Sequence, residues 1–68
     1  MYKAVVWRYG YRSVTEFDSY ESAKLFEEYA DNMFVECILD ENDYILKDNK
    51  KLVIGIKQNN ERRKYVFD

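Results

Sequence analysis

Thirteen carboxylates, eleven cations, one thiol and no imidazole make up the ionisable side chains of this 68-residue chain, tyrosines apart. Without histidine there is neither the commonest general base nor the commonest metal ligand, and no Ser-His or Cys-His couple. Cys37, the single cysteine, cannot close a disulfide within the chain or build a structural zinc site. It lies inside the run Phe34-Val-Glu-Cys-Ile-Leu39, where a cysteine reads as a small buried hydrophobe. Carboxylate-pair catalysis needs two acids in a cleft, one of them with a raised pKa. The acids here fall on one helix face and in turns. Asp40-Glu-Asn-Asp43 carries oxygen ligands but lacks the glycine and the closing glutamate of a calcium loop. The expectation is a protein with no enzymatic activity, no metal and no cofactor.

What remains is binding chemistry. The net charge of −2 hides a segregated pattern: residues 1–12 carry +3, residues 13–46 carry −9, and residues 47–68 carry +4. The acids Glu21, Glu27, Glu28, Asp31, Asp40, Glu41 and Asp43 are read as one face that binds a basic surface on a protein partner. Such a strip could also mimic a phosphate backbone, and it would act chiefly on the association rate. The alternative face is basic: Lys3, Arg8 and Arg12 near the start, Arg62, Arg63 and Lys64 near the end, interleaved with Trp7, Tyr9, Tyr11 and Tyr65. Cations beside stacking rings are what single-strand nucleic-acid binders require. A dedicated binder is usually basic overall, whereas this chain has a pI near 5.1. A third reading is an oligomer that sequesters a small charged nucleotide between its subunits.

The elements that must position these residues follow from pattern. Residues 2–9 are β-branched and aromatic, Tyr9-Gly10 offers a tight turn, and residues 11–17 return as a strand. That second strand puts Arg12, Val14 and Glu16 on one face and Tyr11, Ser13, Thr15 and Phe17 on the other. Asp18-Ser-Tyr-Glu21 has the spacing of a capping box. The helix expected over 19–32 gathers Ala23, Leu25, Phe26, Tyr29, Ala30 and Met33 within an arc of about 160°. Glu21, Lys24, Glu27, Glu28 and Asp31 fill the opposite arc, and Asn32 is the expected C-terminal cap. Strands are expected at 34–39, 44–47, 51–57 and 62–67, with turns at 40–43, 48–50 and 58–61. The fold class is therefore α+β: ββα followed by three or four antiparallel strands, one domain, with an amphipathic helix packed on an antiparallel sheet and Phe26 at the centre of that contact.

Several strands are apolar on both faces, and one short helix covers only one side of a sheet. The second face must curl on itself, dock on a partner or pair with another copy, so a homo-oligomer is expected. Twelve aromatic residues, 18% of the chain, either fill a small core or line a half-wet binding face. A charge follows the first few apolar residues, so the start does not read as a signal peptide. No apolar run reaches the roughly 18 residues of a membrane span. A reduced bacterial cytoplasm is the expected setting.

The segment Tyr11-Arg-Ser-Val-Thr-Glu-Phe-Asp-Ser-Tyr-Glu-Ser-Ala-Lys-Leu-Phe26 is a strand feeding a capped helix. In layout it resembles short phage-encoded host-takeover and anti-defence proteins, over roughly residues 11–40. That resemblance implies a stoichiometric inhibitor or adaptor acting on a host protein. It assigns no functional residue.

Overall fold

The structure is a computed structural model that describes residues 1–50 and 63–67. Its order is β1 (Tyr2–Arg8), β2 (Tyr11–Phe17), α1 (Tyr20–Glu28), β3 (Phe34–Leu39) and β4 (Ile45–Asp48). Among the described residues the four strands form one antiparallel sheet in the order β2-β1-β3-β4, with one helix packed across one face. This is the α+β layout that the sequence pattern predicts. The strand expected at 51–57, the turn at 58–61 and Arg62 lie outside the described residues. Residues 63–67 meet the sheet at one bridge, Lys64 opposite Tyr44, rather than as a strand. There Ile45 N–H donates to the Arg63 carbonyl at 2.8 Å, and Tyr65 N–H donates to the Asp43 carbonyl at 2.8 Å.

β1 and β2 form a hairpin closed by two residues, Tyr9 (φ 54°) and Gly10 (φ 83°). Two successive positive φ values make a type I′ turn, whose twist matches that of the strands it joins. The register pairs Arg8 with Tyr11 and Tyr2 with Phe17. Alternation then sends Ala4, Val6, Thr15 and Phe17 toward the helix, and Lys3, Val5, Trp7, Arg12, Val14 and Glu16 toward the opposite face.

The helix starts one residue later and stops sooner than its pattern predicts. Ser19, not Asp18, is the N-cap: its Oγ accepts the Ser22 N–H at 3.1 Å. The cap read at Asp18 is therefore displaced by one position, and the residue three places after Ser19 is Ser22 rather than the Glu21 of the expected capping box. Tyr29, not Asn32, is the C-cap. Ala30 and Met33 still reach the core, from irregular chain beyond the last turn. Ala23 is the fully buried residue of the helix, packed with Ala4, Val6, Val35 and Ile38. Phe26 sits at the edge of this cluster, its ring 5.1 Å from that of Phe17. Tyr20 and Tyr2 meet at the start of the helix, and Arg8 reaches the Met33 sulfur at its far end. The helix thus runs along the sheet from the Tyr2 end to the Arg8 end.

Val35 and Ile38 both face the helix, which a strict period of two forbids. A bulge in the β1–β3 pairing resolves this. Val5 pairs with Cys37 and Val6 with Val35, so Glu36 is the extra residue. The bulge turns Glu36 to the face away from the helix. There Val5, Cys37 and Leu39 are buried under Ile45 and Tyr65. This second apolar face is therefore covered within the chain, and the need for another copy to cover it falls away.

Candidate binding site

Glu36 organises the covered face. Its Oε1 accepts the Trp7 indole N–H at 2.7 Å and the Tyr65 hydroxyl at 3.2 Å. Arg12 donates to the same tyrosine oxygen at 3.3 Å and stands 5.8 Å over the Phe67 ring, which in turn lies edge-on to Tyr65. Glu36 is a buried residue, 8% exposed. A buried carboxylate is tolerated only where hydrogen bonds replace its water. Burial raises the Tyr65 hydroxyl above its ordinary pKa, and the Arg12 hydrogen bond opposes that rise.

A pocket of about 220 Å³ adjoins this network, lined by Glu36, Cys37, Ile45, Asp48, Arg63 and Tyr65, among others. Burial, with the Glu36 and Asp48 carboxylates, pushes the Cys37 thiol up to about 12. A thiol held protonated is the reverse of an activated nucleophile. Among the described residues, no group of three His, Cys, Asp or Glu side chains could hold a metal ion. None of the described helices is long and apolar enough to cross a membrane.

The seven acids read from the sequence as one face are placed apart. Glu27, expected on the outer arc of the helix, turns to the sheet edge. It accepts from Lys47 at 2.9 Å and from the Asn49 amide. Asp43 binds Lys3 at 2.6 Å, which raises the lysine pKa. Glu41 lies 3.6 Å from the N-terminal ammonium. Asp40 folds its own turn, its Oδ1 accepting from the backbone N–H groups of Asn42 and Tyr44. The turn stands at the Tyr2 end of the sheet, the end from which α1 and its Glu21 start. Glu28 and Asp31 stand exposed at the other end.

The basic candidates are dispersed as well. Lys3 is paired with Asp43, Arg63 binds Asp48 at 2.8 Å, and Lys64 stands 5.6 Å over the Tyr44 ring. Arg12 belongs to the Glu36 network. Arg8 remains at the exposed hairpin end. Tyr65 and Trp7, expected as stacking platforms, are held on the covered face by Glu36.

The surface rings gather elsewhere. Tyr9 is 80% exposed, Tyr11 79% and Tyr29 77%, and Phe34 is also exposed. The register sets Phe34 opposite Trp7, beside the hairpin tip. This end of the fold thus carries Tyr9, Phe34 and Arg8 on the sheet, with Glu28 and Asp31 at the same end of the helix layer. Leu25 and Tyr29, expected in the core, flank an open groove between α1 and β2, with Phe17, Phe26 and Met33 as its apolar lining.

Tyr9 stands out on backbone grounds. Asn32 (φ 61°) and Asp43 (φ 71°) also have positive φ, but their short polar side chains tolerate it. For an L-residue with a larger side chain, the left-handed region costs about 1–2 kcal/mol. The first central position of a type I′ turn favours Asn, Asp or Gly. A tyrosine there, its ring in solvent, is a choice that the hairpin itself does not require. The position lies within the strand read for residues 2–9, and the Tyr9-Gly10 dipeptide was the available signal.

No family model, no curated protein and no solved structure matches the chain.

Proposed function

We infer that the protein is a small non-catalytic binding protein that acts by stoichiometric contact with another protein. The contact is made through the hairpin end, with Tyr9 and Phe34 as anchors and Arg8, Glu28 and Asp31 on the rim. Tyr9 carries this reading: an exposed ring kept in a costly backbone conformation, whose side chain makes no hydrogen bond or ring contact among the described residues. Strain maintained where stability gains nothing is a sign of use. Tyrosine anchors ringed by charges of both signs are characteristic of protein interfaces.

The acids Glu28 and Asp31 speak for a protein rather than a nucleic acid, because they would repel a phosphate backbone from the same end. The outer acids at this end, Glu28 and Asp31, supply steering toward a basic partner, and Glu21 stands at the opposite end of the helix. An inhibitor or adaptor acting on a host protein in the bacterial cytoplasm, as the layout of residues 11–40 implies, is the setting we assign to this activity.

The test is a comparison of baits in a bacterial lysate. Wild-type protein should retain a specific protein that the Tyr9→Asn, Phe34→Thr double variant loses. Arg63→Glu with Lys64→Glu should retain it. Loss with the basic pair alone, together with a salt-dependent gel shift on single-stranded DNA or RNA, would overturn the reading.

A further inference from the structure

We propose that β2 is the self-association edge of this protein, pairing antiparallel with β2 of a second copy about a two-fold axis at Val14. The inference stands apart from the proposed function and uses neither Tyr9 nor Phe34.

Among the described residues β2 pairs only with β1, and Arg12, Ser13, Val14 and Glu16 are exposed along it. A seven-residue strand at the margin of a sheet is a template for another strand. Natural edges are usually blunted by proline, by a bulge, by charged side chains (lysine above all) or by a covering loop. The two charges of β2, Arg12 and Glu16, are of opposite sign and so match a second copy rather than repel it. The chain has no proline, and β2 has neither a lysine nor a bulge in its pairing.

The two-residue turn fixes which backbone groups point outward. In a type I′ turn the first and fourth residues, Arg8 and Tyr11, form a hydrogen-bonded pair. Hydrogen-bonded and non-bonded pairs alternate along an antiparallel ladder. Ser13, Thr15 and Phe17 therefore direct their N–H and C=O groups at β1, and residues 12, 14 and 16 direct theirs away from it. The outward set is centred on Val14.

The sequence of β2, Tyr-Arg-Ser-Val-Thr-Glu-Phe, is complementary to its own reverse. Antiparallel pairing about Val14 sets Arg12 against Glu16 of the second copy and Glu16 against its Arg12. It also sets Tyr11 against Phe17, Ser13 against Thr15, and Val14 against Val14. Opposite charges, aromatic pairs and hydroxyl pairs are the cross-strand combinations that stabilise sheets. A shift of one residue would break all of them, so the register is specified. Arg12 can keep its contacts to Tyr65 and Phe67, since a guanidinium carries five donors. On the helix side the α1 flanks bearing Leu25 and Tyr29 would face one another across the joined strands. With α1 lying over β1, the two helix axes would stand three strand spacings, about 14 Å, apart. The groove beside β2 then becomes the seam of an isologous dimer.

The experiment is sedimentation equilibrium of the full chain from about 1 to 500 μM, a range that spans micromolar dimer affinities. Wild type should reach twice the 8.3 kDa chain mass. Glu16→Arg turns two attractive cross-strand pairs into repulsive ones and should weaken the dimer on the order of tenfold. Combining it with Arg12→Glu restores opposite charges at the same register and should recover association. If that double variant fails to fold, Val14→Pro decides. Its lost N–H points away from β1, so the hairpin persists while the central bonds across the two-fold axis are lost. A wild-type monomer throughout, or a dimer indifferent to both Glu16→Arg and Val14→Pro, would overturn the proposal.

Discussion

Glu36→Ala is the sharpest test of how this small fold closes its second face. The substitution strips one acceptor from two donors, Trp7 Nε1 at 2.7 Å and Tyr65 Oη at 3.2 Å. A hydrogen bond to a charged group is worth about 1.5–3 kcal/mol net. Both rings are only half-buried, so water can reach the abandoned donors, and the carboxylate no longer bears its own desolvation cost. These offsets bring the expected loss to about 2–3 kcal/mol. A 68-residue chain has a total stability of about 3–10 kcal/mol at the usual 0.05–0.15 per residue. The variant should therefore melt on the order of 8–20 °C lower. Trp7 is the only tryptophan, so urea unfolding followed by its fluorescence reports directly from the network. Glu36→Gln keeps an acceptor and should cost less. A double-mutant cycle of Glu36→Ala with Tyr65→Phe, each of which removes the bond between the two side chains, should give a coupling of about 1 kcal/mol. A Glu36→Ala loss below about 0.5 kcal/mol, the level of an ordinary surface substitution, would refute the account of residues 63–67 as the cover of this face.

Other consequences are direct. Ser19→Ala should cost about 1 kcal/mol as a lost cap, and Asp18→Ala less than half of that, in circular-dichroism melts. Phe26→Ala should cost about 2 kcal/mol, below the 3–5 of a fully enclosed ring, because its groove is open to solvent. Stability should hold up to about pH 9 and fall above it. The unfolded chain releases the Cys37 proton near its ordinary 9.0 while the folded chain holds it to about 12, so the unfolded state binds fewer protons across that interval. The raised Lys3 pKa acts in the same direction: its contribution is full below 10.5 and lost as pH rises through the folded value. Denaturant melts at pH 8, 9.5 and 10.5 would show whether the loss occurs.

The hairpin, the helix and β3 were legible because each carries a local signal. Gly10 marks the turn, the apolar arc marks the helix, and the 34–39 strand is bounded by turn residues on both sides. What was illegible depends on distant residues. The helix pattern runs on through Ala30 and Met33 because both reach the core, although the backbone has already left the helix at Tyr29. Glu27 looks like an outer-face acid until Lys47 and Asn49 arrive from twenty residues away. The apolar character of both faces of β3 called for a second cover. Its source was hidden because a bulge at Glu36 re-phases the strand, and Tyr65 closes over it from the far end of the chain. The seven acids are placed apart for the same reason: charge in sequence says where acids are, not which cations the sheet brings beside them. The candidate site was half visible, in the Tyr9-Gly10 turn, whose φ values alone show what the tyrosine costs.

The central claim is that Tyr9 serves binding at the expense of the fold, and one variant separates the two. Tyr9→Asn puts a residue favoured in type I′ turns at φ 54° and removes the exposed ring. Thermal melts and the dissociation constant for the captured protein partner are to be measured on the same preparation. The account predicts opposite signs: stability higher by about 0.5–1 kcal/mol, a share of the cost of the left-handed region, and affinity lower by at least tenfold, as for an interface anchor. Higher or unchanged stability with undiminished affinity would contradict it, because the ring would then serve neither the fold nor the partner.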